Sequence, residues 1–213
     1  MTNIIFDYNN KIGEKAVKAF EKNGFSAKYF SNREEALKYI LDLIPKNSTV
    51  GLGGSVTIRE IGLDAELEKR GLTLYNHWRK GISAEERKDI LKAQQTCDVF
   101  ITSSNALTLD GKIVNIDATG NRVAAMIFGP SKVIIVCGIN KLTENVDLAL
   151  KRIKNEASPK NAIRLNRQTP CAQTGTCADC QSQDRICCVT TIIEKQPILT
   201  ETHVIIIGEP LGY

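Results

Sequence analysis

Apolar positions recur along this chain with two alternating periods. Lys11–Lys22 carries Ile12, Ala16, Val17 and Phe20 at helical spacing, and Arg33–Ile44 places Leu37, Ile40, Leu41 and Ile44 at i, i+3, i+4 and i+7 before Pro45 stops it. Ile58–Arg70, Ala84–Gln95, Asn121–Phe128 and Val146–Ala157 read as further helices, with Thr57 and Glu60 spaced as a capping box. Between them lie short runs with strand character: Phe25–Phe30, Thr49–Leu52, Leu72–Asn76, Asp98–Ser103, Lys132–Cys137, Val189–Ile193 and Val204–Ile207. The runs Val99–Ile101 and Val133–Val136 are apolar throughout, as strands covered on both faces must be. The pattern predicts an α/β protein with a mostly parallel sheet and helices on both faces.

Two stretches break that rhythm. Leu107–Asn115 consists of two alternating runs around Asp110-Gly111, the signature of a β-hairpin. From Ser158 to Asp184 periodicity vanishes, and a structureless run of that length calls for something to staple it. The expected organisation is one domain over residues 1–213: a core at 1–157, a Cys-rich loop at 158–188 and closing strands at 189–213.

Composition narrows the function classes. The 213 residues are ample for a packed core, and 42% hydrophobic with 24% charged residues excludes a disordered or fibrous chain. A net charge of +4, with no basic run and no interleaved aromatics, argues against nucleic acid and permits small anions. Met1–Asn10 lacks the features of a secretory signal, and no apolar run approaches the roughly 20 residues a membrane span needs. The expected location is the cytoplasm, with no membrane partner; a homodimer is left open.

Three segments at predicted strand ends carry candidate chemistry. Gly51-Leu-Gly53-Gly54-Ser55 lies between a strand and a helix, where glycines allow close backbone approach to a phosphate or carboxylate or simply make a tight turn. Val56 stands where a dinucleotide fingerprint needs its last glycine, and no Gly-Lys-Ser/Thr follows, so neither that motif nor a P-loop is present. Asn105, Asp117, Thr119, Gly120, Asn121 and Arg122 crowd a second segment after a central strand. Thr119 or Asn121 could cap the next helix, and Arg122 could grip an anion bidentately or form a structural ion pair. Asp117, Asn121 and Arg122 are the candidate catalytic residues. Gly138-Ile-Asn140-Lys141 follows the next central strand, with Lys141 as a candidate anion contact. The two histidines, His77 and His203, read as structural or surface residues.

Five of the seven cysteines fall within 18 residues. Cys171, Cys177, Cys180 and Cys187 form a candidate four-thiol centre, and Cys188 belongs to the following strand. In a reducing compartment such a group suits an iron–sulfur cluster (4Fe–4S), zinc as the alternative, or free, redox-active or disulfide-bonded thiols. Arg164, Arg167 and Arg185 are near enough in sequence to offset the thiolate charge.

The run from Asn105 through Asp117-Ala-Thr119-Gly120-Asn121-Arg122 to Gly129-Pro130 resembles the signature of LUD-domain (lactate-utilisation) proteins. Gly51–Ser55, Gly138–Lys141, the Cys171–Cys187 pattern and Gly208-Glu209-Pro210-Leu211-Gly212 extend the resemblance over nearly the whole chain. It implies the fold of ribose-phosphate isomerases, glucosamine-phosphate isomerases and CoA transferases (NagB/RpiA/CoA transferase-like), with a phosphate-, carboxylate- or CoA-bearing metabolite at the glycine loop and at Asp117–Arg122. It also implies a part in converting L-lactate to pyruvate beside iron–sulfur partner proteins. An isomerase- or transferase-like enzyme with a structural Cys loop, and a non-catalytic metabolite-binding subunit, are the alternatives. The chain departs from the family pattern in its own cysteine loop. Neither Glu60 nor Glu209 sits in a convincing motif for the glutamate nucleophile of a CoA transferase.

Overall fold

The computed structural model describes residues 4–213. Helix α1 (Ile4–Lys22) leads to β1 (Ser26–Phe30), α2 (Arg33–Asp42) and β2 (Thr49–Leu52). Two short helices, α3 (Val56–Glu60) and α4 (Leu63–Lys69), precede β3 (Thr73–Asn76), α5 (Ala84–Ala93) and β4 (Val99–Thr102). The hairpin strands β5 (Ala106–Thr108) and β6 (Ile113–Asp117) come next, followed by α6 (Asn121–Ile127), β7 (Lys132–Gly138) and β8 (Leu142–Thr143). Helices α7 (Val146–Arg152), α8 (Ser158–Arg164) and α9 (Pro170–Thr174) lead into β9 (Val189–Ile193) and β10 (Glu201–Ile207).

Six strands form one sheet in the order β1-β10-β7-β4-β2-β3, every pair parallel. Its side chains alternate between two cores. Phe100, Val133, Ile135, Val204 and Ile206 join α1, α6 and the hairpin on one face. Val50, Ile101, Ile134, Val136 and Ile205 meet α2, α3 and α4 on the other. The period of two is what lets continuous apolar strands serve both layers.

The hairpin forms where the sequence predicts it, with Gly111 at φ +82° in its turn. It builds a second sheet, β8-β5-β6-β9, whose far face rests on α7 through Ala106, Val114, Ala149 and Ile153. A side chain on Gly111 would strike the Ala19 backbone 2.6 Å away, so the turn and α1 meet at contact distance.

Three local expectations are corrected. The helix expected over Ile58–Arg70 breaks at Gly62, which takes φ +71° between α3 and α4. Its cap is Ser55, whose Oγ accepts from the Ile58 amide at 3.3 Å, while Thr57 is buried inside the helix. The stretch after Ala157, expected as loop, opens as helix: α7 runs through a π turn at residues 153–157 into α8. Widening the helix just ahead of Pro159 accommodates a residue without an amide hydrogen. The buried face of α8 consists of Ser158, Pro159 and Ala162, too small to register as an amphipathic stripe.

Candidate functional site

The strands of the large sheet all point the same way, so the loops after β2, β3, β4 and β7 emerge on one rim. They border a cleft of about 350 Å³ lined by Gly54, Ser55, His77, Trp78, Asn105, Asp117, Thr119, Asn121, Arg122 and Lys141, among others. Segments near 54–55, 117–122 and 141 therefore converge. Gly51, Gly53, Gly120, Gly138 and Asn140 lie outside the lining and hold the frame. A side chain on Gly51 would meet Cys97 Sγ at 2.9 Å and one on Gly53 would meet Thr102 Oγ1 at 2.5 Å, so both glycines let the sheet and loop close up. Gly53 N donates to Ile101 O and Ser55 N to Gly53 O, which spends those amides within the protein. Gly54 is needed for Trp78, whose indole nitrogen would lie 2.2 Å from an added Cβ. Asn140 binds the strap after β10 instead of facing the cleft: it accepts from the Leu211 amide and donates to Gly212 O.

Arg122 is held by the protein itself. Its Nε donates to Asp117 Oδ1 at 2.9 Å, Nη1 to Ser103 O at 3.1 Å, and Nη2 to Asn105 Oδ1 at 2.8 Å and to Asp117 Oδ1. Asp117 Oδ2 also accepts from the Val123 amide at 3.3 Å. That contact assists the start of α6, whose N-cap is Gly120 at φ +83° rather than Thr119 or Asn121. The planar fork is thus mostly consumed in orienting Asp117 and Asn105.

Lys141 is 3% exposed, and among the described residues no salt bridge engages it. Its Nζ donates to Ser103 Oγ at 2.9 Å and Thr57 Oγ1 at 3.0 Å. Burial pushes its pKa down to about 8; the nearby Arg152 and Arg122 push the same way, against the opposing influence of Cys137 and Glu60. His77, which the sequence suggested was structural or superficial, also lines the cleft. Burial first, then Arg87 and Arg59, lower its pKa to about 4, so it is neutral at physiological pH. Gln94 Nε2 lies 2.9 Å from its Nδ1 and donates to Leu52 O and Tyr75 O, which holds the imidazole against the end of β2. His203 instead pairs with Glu201 at 2.7 Å within β10.

Cationic groups outnumber acidic ones around this cleft. Arg87, Arg122, Lys141, Arg164 and Arg167 line it with Asp117 as the lone carboxylate, which leaves an excess of positive charge. Arg164 stacks on Trp78 at 4.6 Å and Arg59 at 5.1 Å. The sequence suggested Arg164 and Arg167 as counter-charges for the thiols; they line this cleft, and only Arg185 of the three faces the cysteines. Glu209 is committed to Arg33, and Glu60 accepts from the Gly212 amide at 2.6 Å.

Cys171, Cys177, Cys180 and Cys187 all line one small cavity of about 30 Å³ next to the cleft, and Ile186 lines both spaces. All four are free thiols. Burial raises the Cys187 thiol, and neighbouring Cys177 and Cys171 add to the rise. Arg185 staples the loop by donating to Cys187 O at 2.8 Å, to Asp179 Oδ1 at 2.8 Å and to Cys180 O. The donor set matches a thiolate-bound group in kind and in convergence. Among the described residues, however, no three His, Cys, Asp or Glu side chains are arranged to hold a metal ion as they stand. Cys188 N donates to Asp117 O at 2.9 Å, tying the end of the thiol loop to the cleft.

A parallel α/β sheet with an electropositive cleft at its strand ends defines the class of protein. The LUD-domain profile matches residues 13–207, and the chain belongs to the LUD-domain family. The crystal structure of a DUF162 family protein from Deinococcus radiodurans has the same fold, with a TM-score of 0.53 at 11% identity over 94% of this chain and 98% of that one. No protein of curated function matches. Among the described residues, no helix is long and apolar enough to cross a membrane.

Proposed function

We propose that the cleft binds a small anionic metabolite, a carboxylate or phosphate, in the hydroxy-acid metabolism with which LUD proteins are associated. The observation that carries this is the lining itself: five cationic side chains and one carboxylate line it, and although Arg122 pairs with Asp117 and Arg167 with Asp184, Arg87, Arg164 and the buried Lys141 have no ion-pair partner among the described residues. Uncompensated charge at the end of a parallel sheet favours a ligand of opposite sign. Arg87 and Arg164 are the primary contacts in this reading, because the Arg122 guanidinium is largely occupied by Asp117, Asn105 and Ser103 and Arg167 pairs with Asp184 at 3.8 Å. Asp117, Asn121 and Thr119 add polar groups to the same lining.

The test is a melting-temperature panel of L-lactate, pyruvate, ribose 5-phosphate and acetyl-CoA. A ligand at a hundred times its dissociation constant adds about 2.7 kcal/mol. Arg87→Ala and Arg164→Ala should weaken the effect at least tenfold in ligand concentration. A flat response to every ligand overturns the reading. A response confined to ribose 5-phosphate or acetyl-CoA redirects it to isomerase- or transferase-like chemistry.

A second reading concerns the four thiols. Their convergence on one cavity supports a metal centre on Cys171, Cys177, Cys180 and Cys187, and a four-iron, four-sulfur cluster is preferred over zinc. Structural zinc usually uses two short knuckles, whereas Cys171-x5-Cys177-x2-Cys180-x6-Cys187 has one full knuckle and three compact gaps, which suit a cluster wrapped by one loop. Such a cluster would supply electron transfer beside the cleft and would connect the chain to iron–sulfur partner proteins. Anaerobic purification with metal analysis and visible absorption tests it. Iron-free, colourless protein after reconstitution overturns the cluster, and one equivalent of zinc lost in Cys177→Ser selects the alternative.

A further inference from the structure

Lys141 is more than a positive charge at the cleft. We propose that its side-chain amine is a nucleophile that condenses with the carbonyl carbon of a small anionic oxo compound bound there. This deepens the anion-cleft reading and rests on it.

Three observations lead to this assignment. First, Lys141 is 3% exposed and, among the described residues, no carboxylate lies within ion-pair distance of it, an arrangement that costs stability unless the charge is given up or used. Second, its surroundings favour the neutral amine. Arg122 and Arg152 lie near it, and Arg152 is itself committed to Asn140 O at 3.0 Å and Asn105 O at 2.7 Å. The groups that favour the cation are Cys137 and Glu60, and they do not offset burial and the two arginines. Desolvated lysines beside other cations are the ones that act as nucleophiles. Third, the amine is oriented: two hydroxyls, Ser103 Oγ and Thr57 Oγ1, accept from Nζ at 2.9 and 3.0 Å and fix the nitrogen at the cleft wall. Arg87 and Arg164 remain to hold the anionic group, so Lys141 is not needed for charge.

The chemistry balances without an external oxidant or reductant. The amine lone pair forms a C–N bond to the carbonyl carbon while the C=O π pair moves onto oxygen. The nitrogen then loses a proton, the carbinolamine oxygen gains protons and departs as water, and the remaining nitrogen lone pair closes the C=N bond. The compound must therefore carry both a carbonyl and an anionic group, as a 2-oxo acid or a keto sugar phosphate does.

Trapping tests this directly. The protein is incubated with pyruvate or with dihydroxyacetone phosphate in the presence of cyanoborohydride, and intact mass and peptide mapping locate the adduct. The expected result is one adduct per chain on Lys141 with one of the two compounds, which identifies the anionic group. Excess lactate, which has no carbonyl, should give none. Lys141→Arg, which keeps the charge, and Lys141→Met should both abolish the adduct, with melting curves showing that each variant is folded. A melting shift with either compound but no adduct on Lys141 overturns the nucleophile and leaves the anion cleft standing. Equal labelling of many surface lysines also overturns it. Absence of both shift and adduct overturns the two readings together.

Discussion

Replacing Lys141 with methionine should make the protein more stable at neutral pH and change how stability depends on pH. Methionine has nearly the same length and flexibility, so the cavity stays filled. The fall of the lysine pKa from 10.5 to about 8 measures the cost of holding the ammonium in that site, about 3 kcal/mol when protonated. Against this, the variant loses the hydrogen bonds to Ser103 and Thr57, each worth about 1 kcal/mol. The net expectation at pH 7 is a gain of about 1 kcal/mol. The sign reverses with pH. Between 8 and 10.5 the unfolded chain binds a proton that the folded chain has released, so wild-type stability rises relative to the variant across that window. Below 8 both states carry the proton and the full penalty applies. Urea unfolding of both proteins at pH 7, 8, 9 and 10 reads the difference directly, and subtraction removes the titration of other groups such as Cys97, raised to about 11 by burial. A difference that stays constant from pH 7 to 10 would refute the reasoning.

Asp117→Asn leaves the Arg122 guanidinium charged in a site where the two side chains are only 18% and 9% exposed, and should lower unfolding free energy by about 3 kcal/mol in urea titrations. His77 contributes stability that is complete above pH 6.5 and lost as pH falls toward 4, about 3 kcal/mol in all; His77→Gln should flatten the melting temperature over that interval. Gly129 has φ +118°, and an added Cβ would lie 2.0 Å from Gln95 O, so Gly129→Ala should cost more than about 1 kcal/mol by urea midpoint. Ile186→Ala trims a side chain that lines both the thiol cavity and the cleft; it should speed labelling of the thiols by a maleimide, and a cleft ligand should slow that labelling again.

The large sheet was legible because its central strands are apolar on both faces, and Val99–Ile101 and Val133–Val136 can fit nowhere else. The hairpin was equally plain, since Asp110-Gly111 carries its turn in local chemistry. What escaped the sequence depends on distant contacts. Gly62 breaks a helical stripe through one dihedral angle, and α8 buries only small side chains. His77, Trp78 and Arg164 reach the cleft from three separate elements, so no spacing along the chain records their meeting. Lys141 was visible as a strand-end lysine, but its burial comes from Thr57, Ser103 and the segment at Leu211–Gly212 closing around it. The glycine run was legible as a tight loop; the use of its amides within the protein was not.

The position of β10 has a consequence for how the chain reaches this fold. It lies between β1 and β7, two strands separated by about a hundred residues, and is itself the last of the sheet in sequence. Until it arrives, β1 has no neighbour, and α1 and α2 have no completed layer to cover. Long loop closures of this kind are entropically slow. Until β10 has been synthesised, β1 stays unpaired and the edge of β7 that β10 covers is open to intermolecular pairing. Pairing of β10 therefore joins the two ends of the described chain and closes that edge in one step.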